Sequence, residues 1–116
     1  MNNYYVGHFA ETIALAYLRL KGYRKLASNY TTGKGTGAGE VDLIVYKNKT
    51  IIFVEVKKRN TIESAAYAIV PKQQARIRRA AEAFLGSFPQ YANFDIRFDA
   101  VLIQFPYHIV HMENAF

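Results

Sequence analysis

GEVDLIV, residues 39–45, and IIFVEVKKR, residues 51–59, are the stretches whose reading decides the fold. Both are apolar runs of strand length, and residues 47–50 between them turn the chain back as a hairpin. Residues two apart in a strand project to the same side. Glu55 and Lys57 therefore share a face with Ile51 and Phe53, while Ile52, Val54 and Val56 face the other way. A carboxylate and a lysine thus leave together from a strand apolar enough to be central, and the hairpin brings Asp42 towards Glu55 where the register allows.

Two carboxylates at that point can hold a hard cation such as magnesium through oxygen ligands. Such an ion polarises a phosphodiester and lowers the pKa of a bound water, and a lysine beside it orients that water or offsets developing charge. Asp42, Glu55 and Lys57 are thus candidates for a metal-dependent phosphodiesterase site. The competing reading is an edge strand whose inward lysine blocks aggregation, or a strand that simply ends in solvent at Lys57. The scarcity of acid favours the site. The 116 residues hold nine Asp and Glu against fifteen Lys and Arg, yet Glu40, Asp42 and Glu55 fall close together. Burying carboxylates is costly unless they are paired, protonated or metal-bound.

The length fits one domain, residues 1–116, with a core built around a sheet. The chain contains no cysteine, so disulfide and thiolate chemistry are excluded. With no apolar segment behind Met1 and no apolar run of about eighteen residues, the expected location is the cytoplasm, with no membrane partner. The triplets Asn29-Tyr30-Thr31 and Asn48-Lys49-Thr50 are then chance matches to the glycosylation pattern. The formal charge of +6 attracts polyanions at long range. The basic residues cluster as Lys21/Arg24/Lys25, Lys57/Lys58/Arg59 and Lys72/Arg76/Arg78/Arg79.

Outward from the two strands, residues 5–21 read as a helix ended by Gly22. Its expected buried stripe is Phe9, Ile13, Ala16, Tyr17 and Leu20. Glu11 projects between Leu15 and Leu18, from a partly apolar face. It is either a surface ion-pair partner or a carboxylate carried to the Asp42/Glu55 end. Residues 24–30 read as a strand, followed by the glycine-rich loop 31–39. Because a strand and not a helix follows that loop, it is no phosphate-binding P-loop; Lys34 is its one basic handle, beside the plainer reading of a surface loop.

A second helix starts at Pro71, a residue tolerated in a first turn, and buries Ile77, Ala80, Ala81, Phe84 and Leu85. Lys72, Arg76 and Arg79 recur on another face, as a ridge that follows phosphates or as an ordinary solvated face. Gln73, in the first turn, either positions a phosphate or water or is an exposed helix former. Residues 95–104 form a further strand, on which Arg97 and Asp99 share a side, and residues 107–112 a short last one. Phe and Tyr are too dispersed along the chain to define a base-stacking platform.

At Gly7 and Glu11, Gly39 to Ile44, Phe53 to Arg59, Lys72, Arg97-Phe98-Asp99 and the closing Glu113-Asn114-Ala115-Phe116, the sequence resembles the UPF0102 family, also called YraN-like proteins. That family is similar to archaeal Holliday junction resolvases, within the restriction-endonuclease-like, PD-(D/E)XK class. The resemblance implies an α/β fold with a mixed central sheet flanked by helices, in the core order αβββαβ. It also implies that Asp42 and Glu55 are metal ligands, Lys57 the catalytic lysine and Glu11 the helix carboxylate completing the site, with Gln73 a weaker candidate. Val41 stands where the class name has proline. The glycine-rich stretch is longer than is usual in the family, and residues 64–68 lack its Phe-Gly pair.

The leading expectation is an endonuclease dependent on Mg²⁺ or Mn²⁺ that acts on branched or structured DNA, Holliday junctions among them. Lys34, Lys58, Arg59, Lys72, Arg76 and Arg79 would contact phosphates, and by analogy with resolvases the chain would pair as a two-fold homodimer. The first alternative is a non-catalytic DNA-binding or DNA-processing accessory protein that retains the nuclease fold. The second is a protein-interaction module whose charge serves an acidic partner.

Overall fold

The computed structural model describes residues 3–33, 38–105 and 108–116. In chain order the elements are α1 (Asn3–Leu20), β1 (Arg24–Thr32), β2 (Gly39–Lys47), β3 (Thr50–Arg59), α2 (Ile62–Tyr67), α3 (Pro71–Ser87), a 3₁₀ turn (Pro89–Tyr91), β4 (Asp95–Gln104) and β5 (His108–Met112). The five strands form one mixed sheet in the order β1-β2-β3-β4-β5. The β3–β4 pair is parallel, and the others are antiparallel. The fold is thus a mixed α/β fold with helices flanking a central sheet.

Local chemistry accounts for the boundaries. Gly22, at φ 95°, closes α1: its amide returns to the Arg19 carbonyl and the Tyr23 amide to that of Leu18, a pattern that needs a left-handed residue. Asn48, at φ 56°, makes the tight turn between β2 and β3, since asparagine tolerates that region better than most side chains. Two helices, rather than the one expected, cross between the parallel strands. The short α2 starts where the Thr61 hydroxyl accepts the Ser64 amide, and Pro71 occupies the first turn of α3.

The alternation of β3 divides the core. Ile52, Val54 and Val56 pack with Leu43, Val45 and Val101 under α1. Ile51 and Phe53 pack with Ile77, Ala80, Ala81 and Phe84 of α3, the stripe expected for that helix. For α1 the expected stripe is corrected. The buried residues are Ala10, Ala14 and Leu18, whereas Phe9 and Leu20 are exposed. Apolar residues nearly encircle this helix, and two alanines at a spacing of four present the low surface that sits closely on a sheet. That rotation leaves Glu11 half-buried, next to Ala10 at the edge of the packed face.

Arg97 and Asp99, on one side of β4, form an ion pair and more. The fully buried Asp99 carboxylate accepts Arg97 Nε and Nη2, each at 2.8 Å, and the Asn114 amide at 2.9 Å. His111 Nε2 lies 2.7 Å from it. Lys21 Nζ, which can only donate, lies 2.7 Å from His111 Nδ1, so a neutral imidazole carries its proton on Nε2 and donates to Asp99. Burial alone would raise the Asp99 pKa; the bonds from His111, Arg97 and Asn114 outweigh it and hold the carboxyl below its ordinary value. This cluster, with the Ala115 amide on the Phe98 carbonyl at 2.7 Å, fastens the tail across β4. Among the described residues no helix is long and apolar enough to cross a membrane.

Candidate functional site

The site grows from the point where β2 and β3 part. Their paired register runs from Lys47↔Thr50 to Leu43↔Val54; just beyond it the Val56 amide donates to Asp42 Oδ2 at 2.8 Å. A side chain thus completes the hydrogen bonding of β3 where the ladder stops. Val41 and Ile44 both pack into the α3 cluster, an interval of three rather than two. The simple alternation of β2 therefore breaks around Asp42, at the seam between the two layers. Upstream, Gly39 lies against α3 so closely that a Cβ there would stand 2.6 Å from the Ala80 nitrogen. Only glycine lets the helix backbone come down on the start of β2.

On the neighbouring strand Glu55 is 3% exposed and is hydrogen-bonded to Asp42. Burial first, and then the bond to and charge of Asp42, push its pKa up from 4.5 to about 9; Lys57 pulls the other way. Lys57 Nζ stands 3.7 Å from Glu55 Oε1, the two side chains on one face as the alternation of β3 requires. From α1, Glu11 reaches the Asp42 carboxylate. Burial and then the charge of Asp42 raise its pKa, against a hydrogen bond with Asn29 and the nearby His8, whose Nδ1 is 3.9 Å away.

These groups line one cleft of about 360 Å³, walled by Ala10 and Glu11 of α1, Glu40 and Asp42 of β2, residues 55–59 of β3 and Gln73 of α3. Four elements thus bring Glu11, Asp42, Glu55, Lys57 and Gln73 together, with Lys58 and Arg59 on the rim. Lys72 is exposed in the first turn of α3. Arg76 and Arg79 are turned to the start of β2: Arg76 Nη2 is 3.4 Å from Glu40 Oε2, and Arg79 Nε donates to the Ala38 carbonyl at 3.2 Å. Lys34 lies outside the described residues.

Two site residues escaped the sequence reading. Glu40, in the sequence simply one acid of a cluster, lines the cleft. Asn29 sits in β1 with φ 52°, between the paired positions Ser28↔Leu43 and Tyr30↔Val41, and its side chain bonds Glu11. An asparagine inside a strand is the available signal, because that residue is depleted in strands and tolerant of left-handed backbone.

Chemically the cleft offers carboxylate oxygens in mutual contact, an ammonium beside them and a basic rim. Among the described residues no group of three or more His, Cys, Asp or Glu side chains is arranged to hold a metal ion. Asp42 and Glu55 are nevertheless oxygen donors of the kind that Mg²⁺ takes in ones and twos, with water and phosphate completing its shell.

Residues 10–103 match the family described as Uncharacterised protein family UPF0102. Similar proteins include a UPF0102 protein of Paramagnetospirillum magneticum, 46% identical over 106 residues, covering 89% of this chain and 82% of that one. Another, from Rhodopseudomonas palustris strain HaA2, is 47% identical over 106 residues, covering 89% and 80%. A third, from Bradyrhizobium diazoefficiens, is 44% identical over 112 residues, covering 94% and 81%.

Proposed function

The chain belongs to the UPF0102 family, and from its cleft we propose that it is a metal-dependent endonuclease of the restriction-endonuclease-like, PD-(D/E)XK class, hydrolysing phosphodiesters in branched or structured DNA such as four-way junctions. The observation that carries this reading is the meeting of Asp42, Glu55 and Lys57, with Glu11, in one basic-rimmed cleft. A purely structural role accounts poorly for a nearly buried glutamate held against an aspartate. Such a contact is unfavourable while both are ionised, and a cation between them relieves it.

Asp42 and Glu55 are the residues that would hold Mg²⁺ or Mn²⁺, with Glu11 at the side of Asp42. When bound, such an ion polarises the phosphodiester and acidifies a water. Lys57, held near Glu55, supplies positive charge at the reacting phosphate and a donor that orients the attacking water. Gln73 adds a neutral hydrogen-bonding group on the α3 wall. Lys58, Arg59 and Lys72 bind flanking phosphates. Arg76, paired with the cleft-lining Glu40, adds positive charge beside them. Two symmetric cuts in a four-way junction call for two copies related by a two-fold axis.

The test is cleavage of labelled four-way-junction, flap, single-stranded and duplex DNA in Mg²⁺, Mn²⁺ or EDTA, comparing the native chain with Glu55→Gln and Lys57→Ala. Expected are metal-dependent products that both variants lose while still binding DNA. Tight binding without cutting in either metal would overturn the reading in favour of the non-catalytic accessory role. No binding even at low salt would remove nucleic acid altogether.

A further inference from the structure

The parallel strands β3 and β4 end side by side, Lys58 opposite Ile103 and Arg59 opposite Gln104. The residue delivered just past Gln104 is Phe105, and it is 61% exposed. Its position is braced, because Gln104 Oε1 accepts the Ile62 amide at 3.0 Å and so ties the end of β4 to the start of α2. Lys58 Nζ lies over the Phe105 ring, 5.1 Å from its centroid. Among the described residues Lys58 is the cleft-lining cation that meets an aromatic face. An exposed phenylalanine, held against one of three consecutive basic residues that line the cleft, has the composition of a single-stranded nucleic-acid platform. Aromatic faces stack on bases without regard to sequence, while neighbouring cations take the phosphates.

We infer that Phe105 stacks on an unpaired nucleobase next to the phosphate held in the cleft, and that the preferred substrate is DNA with an unpaired nucleotide at that position, as in a flap or fork. This rests on the cleft being a DNA site and, among branched DNAs, favours flaps and forks over fully paired four-way junctions. In an intact duplex each base is already stacked between its neighbours, so the ring finds no partner and contributes nothing. A nucleotide freed from the stack gives Phe105 a base, and Lys58 and Arg59 the two phosphates beside it.

The experiment uses a flap and a blunt duplex of equal length and charge, with 2-aminopurine as the unpaired base next to the branch, titrated with the full chain in EDTA. Native protein should bind the flap more tightly and quench the probe. Phe105→Ala should cost roughly five- to 150-fold in flap affinity, collapsing the flap-to-duplex ratio towards one and abolishing the quench, and Phe105→Tyr should restore both. An unchanged ratio and quench in Phe105→Ala would overturn the stacking role, even if the protein cuts DNA. A ratio that depends on Phe105 in a protein that never cuts would leave stacking standing and overturn only the nuclease reading. No binding to either DNA would overturn both.

Discussion

Replacing Glu55 with glutamine should stabilise the metal-free protein, a result opposite to the usual effect of altering a nearly buried, hydrogen-bonded residue. Glu55 is 3% exposed and its pKa rises from 4.5 to about 9, first through burial and then through Asp42. Between those values the folded state holds a proton that the unfolded state has released, so stability falls as pH rises through the window. At pH 7 the neutralisation costs on the order of 3 kcal/mol, a large part of a domain stability of about 5–15 kcal/mol. A glutamine amide keeps the volume and can donate to Asp42 as a protonated glutamate does, without that cost. Urea unfolding in EDTA at several values from pH 5 to pH 8.5 measures this directly. The variant should match the native chain near pH 5, exceed it increasingly towards pH 8.5, and show a flatter pH profile. Adding Mg²⁺ or Mn²⁺ should then raise the native chain more than the variant, because a ligand that binds only the folded state stabilises it by mass action. A variant less stable than the native chain at pH 8 in EDTA, or one with an unchanged pH slope, would refute the argument.

Asp99→Ala leaves Arg97 without its buried partner and frees the tail, and should cost about 3–5 kcal/mol in urea unfolding, while Asp99→Asn keeps part of the network and should cost less. Because Asp99 is held below its ordinary pKa, its contribution is complete above the unfolded-state value of 3.8 and is lost as pH falls through the folded value; melting curves from pH 5 downwards should lose this step in Asp99→Ala. Gly39→Ala puts a methyl 2.6 Å from the Ala80 nitrogen and 2.9 Å from the Arg76 carbonyl oxygen, both rigid backbone, and should lower stability by about 1–3 kcal/mol. An unchanged thermal midpoint would show that α3 shifts at no cost.

Some of this molecule was legible residue by residue. The side assignments of β3 followed from a period of two and hold in the structure, because Ile52, Val54 and Val56 join one core cluster and Ile51 and Phe53 the other. The buried stripe of α3 followed from a period of 3.6, because polar residues occupy the rest of that helix and admit one orientation. On α1 the same reasoning chose the wrong stripe. Its apolar residues leave several orientations nearly equivalent by periodicity, and the sheet selected the alanines by how closely they let the helix approach. The short α2 escaped notice because its six residues give too few turns for a period to show.

The amino-acid sequence by itself determined the strand-forming runs, the helix ends at Gly22 and Pro71, and the pairing of Glu55 with Lys57 on one face, all of which depend on neighbours a few positions apart. Tertiary structure alone decided that Glu11 meets Asp42, that Asn29 steadies Glu11, that Arg76 and Arg79 turn to the start of β2, and that the Phe105 ring meets Lys58. Those contacts join residues far apart in the chain. Their geometry is set by how α1 and α3 settle on a twisted sheet, a compromise of packing over the whole core that no local pattern encodes.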